Sequence, residues 1–106
     1  AMRKKDIGTF FPDNQKKYKN IRSPKMLKPI VEILNNNDFY INNLDINLIC
    51  EQPKVSKYRD KIIKSLSNLL NIDKELINLK GKTVEKLGLI GKEKAIACEV
   101  ICSITQ

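Results

Sequence analysis

The apolar rhythm of this chain predicts an α+β fold, with helices packed on one face of a mixed β-sheet. Met26, Leu27, Ile30, Val31 and Leu34 recur with helical period, whereas Leu44, Ile46, Leu48 and Cys50 recur with a period of two. A second alternating run, Ala95 to Ile104, closes the chain. Between the two alternating runs lies another helical stripe followed by a short apolar segment. That strand, helix, strand order suggests a parallel pair joined by a right-handed crossover.

Taken in order, Asp6 to Lys19 hold Gly8, Pro12, Asp13 and Asn14 with no sustained period, which reads as a loop with a short turn. The first helix starts near Ser23, a candidate N-cap, with Pro24 at its first position. Pro29 removes an interior hydrogen bond and predicts a late start or a kink. The Asn35-Asn36-Asn37 run ends that helix. The first strand stops just before Gln52-Pro53-Lys54, and Ser56 is the expected cap of the next helix. Tyr58, Ile62, Ile63, Leu66, Leu69 and Leu70 line one face of it and lysines the other. Ile77 to Lys80 forms a short strand after Asp73-Lys74-Glu75. The turn from Cys50 to Ser56 and the loop from Lys80 to Gly91 then follow the carboxyl ends of neighbouring strands, the edge that ligands favour. In the last strand Ile96, Cys98, Val100, Cys102 and Ile104 share one face, which makes Cys98 and Cys102 core residues.

At 106 residues the chain is one domain or part of one, residues 1–106 forming a single unit incomplete at its N-terminus. Ala1-Met2 reads as an expression scar. No apolar run approaches the roughly 18 residues a membrane span needs, so a soluble protein without a membrane partner is expected. The residues do not encode a location; a plastid-type organelle and a bacterial cytoplasm both remain open. The net charge of +8 points to an anionic partner, but arginine occurs only at Arg3, Arg22 and Arg59. Because arginine grips phosphate and guanine bidentately, nucleic acid is not the expected partner, and the lysines equally suit solvated faces. Three cysteines without paired spacing do not make a disulfide framework. The sequence has no histidine, which removes both a base for a cysteine nucleophile and the usual ligands of a tetrahedral zinc.

Two short motifs invite phosphate chemistry. Gly81-Lys82-Thr83 resembles the end of a phosphate loop, but Leu76 stands where its first glycine belongs. A lysine and a hydroxyl there remain suited to a diphosphate. Gly88-Leu89-Ile90-Gly91 resembles the clamp of KH-type RNA-binding modules, yet the segment after it alternates like a strand where those modules have a helix. A small basic RNA-binding module is the alternative reading, and a lone nucleotide-binding regulatory domain a third. Asp6, Asp13 and Glu85 are acidic residues in basic loops, compatible with ordinary turn formation or with a site.

Four segments in register decide between these. Asp6-Ile7-Gly8-Thr9-Phe10-Phe11-Pro12-Asp13, Tyr18-Lys19, Glu51-Gln52-Pro53-Lys54, and Thr83-Val84-Glu85-Lys86-Leu87-Gly88 with Gly91 resemble the 2-C-methyl-D-erythritol 2,4-cyclodiphosphate synthase family from Asp6 to the C-terminus. The resemblance implies a homotrimer of the cyclodiphosphate synthase fold in non-mevalonate isoprenoid biosynthesis. It implies cyclisation of 4-diphosphocytidyl-2-C-methyl-D-erythritol 2-phosphate with release of CMP, a phosphorus-oxygen lyase reaction. Carried over by position, Asp6, Thr83 and Glu85 are catalytic. Asp6, Gly8, Phe11, Asp13 and Lys19 flank the methylerythritol. Cys50, Glu51, Gln52, Pro53, Lys54, Val55 and Ser56 form the cytosine turn, and Lys82, Thr83 and Lys92 face the phosphates. Glu85 is the implied ligand of a magnesium- or manganese-type ion, a hard oxygen for a hard cation. The family also uses zinc, held by an aspartate and a pair of histidines in an earlier segment. Those ligands are not in this chain, so it is expected to be inactive alone. It departs from the family at Lys82 and Val84, where threonines are usual, at Leu89, at Lys92 in place of arginine, and at Pro24.

Overall fold

The computed structural model describes residues 2–106; Ala1, half of the expected expression scar, lies outside the described residues. The chain falls into two compact units, one of the described residues up to Tyr40 with Gln106, the other of Ile41–Thr105.

In the first unit, the expected loop contains two single helical turns, α1 (Ile7–Phe10) and a 3-10 turn at Lys16–Tyr18. Asp6 creates the first by capping it: its carboxylate accepts from the Thr9 N–H at 3.2 Å and from the Thr9 hydroxyl at 2.9 Å. The Phe11 ring meets Tyr18 edge-on with centroids 5.4 Å apart, which ties the turns together. Helix α2 (Ser23–Asn36) starts one residue earlier than the capping pattern suggested, with Arg22 and not Ser23 at the N-cap and Pro24 in the first turn. It runs unbroken through Pro29, without the late start expected of it. One lost hydrogen bond, with intact turns on both sides, does not stop a helix whose apolar stripe is half-buried. The asparagine run ends it as expected. The Phe39 N–H reaches the Leu34 carbonyl at 3.0 Å and the Asp38 N–H the Asn35 carbonyl at 3.0 Å, with Asp38 at φ +58°, a Schellman ending without glycine.

The second unit is built on strand β1 (Tyr40–Ile49), which begins earlier than the alternation showed. Polar Asn42 and Asn43 hide that extension from a hydrophobic pattern, but both bond the Ser103 hydroxyl, Asn42 as donor at 3.3 Å and Asn43 as acceptor. Helix α3 (Val55–Leu70) follows, then a 3-10 turn at Lys74–Leu76, β2 (Ile77–Lys82), α4 (Gly88–Gly91) and β3 (Ala97–Thr105). The sheet order is β2-β1-β3, and β1 pairs parallel to β2 as the strand, helix, strand order required. Leu44 stands opposite Ile77, Ile46 opposite Leu79 and Leu48 opposite Gly81. Helix α3 packs on β2.

The core gathers Leu44, Ile46 and Cys50 of the first strand and its end, Val55 and Leu70 of α3, and Ile77 and Leu79 of β2. Each such aliphatic side chain contributes about 1.5–3 kcal/mol when withdrawn from water. On the opposite face Asp45 accepts from Asn78 at 2.9 Å and pairs with Lys80 at 3.2 Å. Three further expectations need correction. Lys54, not Ser56, occupies the N-cap of α3, and no side chain bonds there. Tyr58 and Leu69 are exposed, because they flank the stripe that Val55, Ile62, Leu66 and Leu70 centre. Cys98 and Cys102 are exposed rather than core, since the second unit covers neither face of β3, and Ile96, Val100 and Ile101 are exposed beside them.

Candidate functional site

Where β1 ends, the chain turns through Cys50 to Lys54 and enters α3; where β2 ends beside it, Gly81, Lys82 and Thr83 leave the sheet. Because the strands are parallel, both departures occur at one edge. Between them lies a cavity of about 390 Å³ lined by Cys50 to Ser56, Arg59 and Gly81 to Thr83. The two strand ends are joined by the Cys50 N–H, which donates to the Lys82 carbonyl at 3.0 Å. The Gln52–Pro53 peptide is cis, and the Cys50 thiol points back to the Pro53 carbonyl at 3.5 Å.

The cavity is electropositive by construction. Lys54, Arg59 and Lys82 line it, and α3 presents its amino end there, where unpaired backbone N–H groups favour an anion. No side chain caps that end; of its first N–H groups, that of Lys57 closes on the Lys54 carbonyl at 3.1 Å. Arg59 is anchored, its Nε donating to the Leu79 carbonyl at 3.0 Å. Gly81 admits the start of α3, because a Cβ there would fall 2.6 Å from the Val55 Cβ. Glu51 reaches across to the following loop, its Oε1 accepting from the backbone N–H groups of Val84 and Lys86, each at 3.0 Å.

Of the residues expected at the site, Cys50, Glu51, Gln52, Pro53, Lys54, Val55, Ser56, Lys82 and Thr83 come together in this cavity. Glu85 and Lys92 are not among its lining residues; both are exposed on the segment beyond Thr83. Asp6, Gly8, Phe11, Asp13 and Lys19 belong to the first unit. There Asp6 is engaged with Thr9, and a Cβ at Gly8 would lie at an ordinary 3.7 Å from Asp6, so local packing does not require that glycine. Gly88–Gly91 forms one helical turn, and the strand that follows has no place in a KH module. Sequence reasoning missed Arg59, and took Gly81 only as part of a phosphate motif. Arg59 had one signal: it is the sole arginine of a lysine-rich helix, one turn after Val55.

The model of the YgbB family matches residues 1–105. The chain belongs to the YgbB family. Among YgbB relatives, the bifunctional enzyme IspD/IspF of Pelagibacter ubique is 52% identical over 93% of this chain and 27% of its own length. The apicoplast 2-C-methyl-D-erythritol 2,4-cyclodiphosphate synthase of Plasmodium falciparum is 48% identical, over 88% of this chain and 39% of its own. The synthase of Hydrogenobaculum is 46% identical, over 96% and 62%. The chain thus spans less than two thirds of the length of these relatives. A solved Plasmodium falciparum IspF in complex with CDP superposes with a TM-score of 0.80 at 42% identity, covering 94% of this chain and 58% of that one. A CDP-bound synthase only 23% identical superposes with a TM-score of 0.84, a shared fold. No helix among the described residues is long and apolar enough to cross a membrane.

Proposed function

We propose that this chain supplies the cytidine side of a 2-C-methyl-D-erythritol 2,4-cyclodiphosphate synthase. The reading is carried by the cavity between the Cys50–Ser56 turn and Gly81–Thr83, and is supported by a neighbour at 42% identity whose structure is a CDP complex. The turn offers backbone groups to cytosine. Lys54, Lys82 and the amino end of α3 hold the negative charge of the diphosphate, and the Thr83 hydroxyl donates to it.

In the proposed reaction the 2-phosphate oxygen of 4-diphosphocytidyl-2-C-methyl-D-erythritol 2-phosphate forms a bond to the β-phosphorus. The bond from that phosphorus to the bridging oxygen breaks, and CMP leaves with the electron pair. Such a transfer between anions is governed by positioning and charge neutralisation. Asp6, Gly8, Phe11, Asp13 and Lys19 are assigned to the methylerythritol end, and Lys92 to phosphate. Glu85 fits a magnesium- or manganese-type ion, because such ions take one or two carboxylates and complete their shell with phosphate and water. The chemistry supplied there is neutralisation of diphosphate charge. The residues present do not fit zinc: the sequence has no histidine, and among the described residues no three His, Cys, Asp or Glu side chains gather around a point.

The proposed assembly is a homotrimer. The exposed apolar residues Leu87, Leu89, Ile96, Val100 and Ile101 support a contact that the single chain does not satisfy. The functional test is calorimetric titration with CDP and magnesium, repeated with UDP and ADP. Selective binding of CDP is expected, and equal binding of all three would overturn the cytidine assignment.

A further inference from the structure

The loop after β2 carries Glu85 on a backbone that its residues do not favour. Glu85 and Lys86 stand at φ +56° and +63°, and the Leu87 N–H closes on the Val84 carbonyl at 3.1 Å. Positive φ at both central residues is the pattern of a type I′ turn, which ordinarily takes asparagine or glycine. Side chains with a Cβ persist there only when their surroundings over-determine them.

Two features do so. Glu51 Oε1 accepts from the N–H groups on either side of Glu85, those of Val84 and Lys86, each at 3.0 Å. Behind the turn the Gly91 backbone lies so close that a Cβ would meet the Lys86 carbonyl carbon at 2.1 Å. The carboxylate of Glu51 is therefore committed to the neighbouring loop, although the residue is among those lining the cavity. Charge-assisted bonds of this kind are about twice as strong as neutral ones.

We propose that Glu51 is a positioning residue: its carboxylate holds the Val84–Lys86 turn so that the Glu85 carboxylate is presented to a divalent cation on a bound nucleoside diphosphate. The cation and nucleotide rest on the functional reading above; the clamp does not. Both donors converge on a single oxygen, so a glutamine carbonyl can replace it, whereas alanine cannot.

The test compares the wild-type chain with Glu51→Gln and Glu51→Ala. For each, CDP affinity is titrated with and without magnesium, and amide hydrogen exchange is followed at Val84 and Lys86. Magnesium is expected to tighten CDP by about tenfold in the wild type and in Glu51→Gln, and to leave the Glu51→Ala affinity near its own metal-free value. The two amides should exchange slowly in the first two proteins and fast in the third. Equal exchange in all three, or an undiminished magnesium gain in Glu51→Ala, overturns the proposal. A Glu51→Ala chain that loses CDP with and without magnesium to the same extent makes Glu51 a direct contact, which also overturns it. Protected amides in a wild-type chain that binds no cytidine nucleotide overturn the functional reading, and with it the presentation of Glu85, while locating the failure outside the clamp.

Discussion

Gly81 lies directly beneath Val55: a Cβ on the glycine would fall 2.6 Å from the Val55 Cβ and 2.8 Å from its Cγ2. The end of β2 and the first residue of α3 therefore meet without a side chain between them. That contact seats the Cys50–Ser56 turn against the strand and sets the floor of the cavity. Gly81→Ala should destabilise the chain by about 1–3 kcal/mol, because the obstructing atom is a branched Cβ and not a flexible tip. Val55→Gly in the same chain removes that Cβ, so the double variant should lose less than the sum of the two single changes. Urea unfolding of both reads the outcome, and strict additivity would show that the two residues do not collide.

Pro29 sits inside α2 without breaking it, and the Lys25 carbonyl loses its regular partner there. Pro29→Ala should stabilise the protein by up to about 3 kcal/mol, the interior penalty of proline relative to alanine. A thermal melt checks this. A lower melting temperature would show that the half-buried ring contributes more by packing than it removes from the helix.

Lys80, and secondarily Asn78, hold the Asp45 carboxyl below its ordinary range by hydrogen bonding. The unfolded chain therefore takes up the proton more readily than the folded one. The stabilisation is fully present above the unfolded value of about 3.9 and is lost as the pH falls through the lower folded value. Asp45→Asn should be less stable than the wild type at neutral pH, with the difference shrinking as the pH falls through the lowered carboxyl value. Both partners are substantially exposed, so added salt should shrink it at every pH. Melting temperatures across that range, at low and high salt, decide it.

Lys82 lines the cavity as a cation. Lys82→Thr should weaken CDP by about tenfold at low salt, CMP less, and cytidine least, because the loss scales with phosphate charge. A uniform loss across the three ligands would place Lys82 against the base or sugar.

Ile101 is 75% exposed on β3, with Val100 at 52% beside it, so apolar side chains project from adjacent positions of the strand. Ile101→Glu should convert the proposed trimer to a monomer with an unchanged far-ultraviolet circular dichroism spectrum. Sedimentation at micromolar concentration reads the mass, and a trimeric variant would remove this face from the interface.

Much of the fold was legible because periodicity is a local property. The stripe of α3, the alternation from Leu44 to Cys50 and the order of the central elements are each written in consecutive residues, and they sufficed for the parallel pair. The stop of α2 was legible too, since asparagine and aspartate tolerate the left-handed residue its ending needs. The start of β1 was not, because Asn42 and Asn43 carry no apolar signal and are held by a partner about sixty residues away. Cys98 and Cys102 were misplaced for a related reason: alternation shows that residues share a face, not that anything covers it.

The sequence by itself determined the family, through motifs in register, and the side chains that gather at the cavity. Only the tertiary structure decided how those parts bear on one another. Glu51 reads in the chain as one more member of the cytosine turn, yet its carboxylate reaches 33 residues ahead to the Val84 N–H and 35 to that of Lys86. Gly81 reads as half of a phosphate motif, yet its lack of a side chain serves Val55. A sequence records which groups are available. Which of them come within hydrogen-bonding or van der Waals distance depends on how distant elements pack, and local pattern does not encode that.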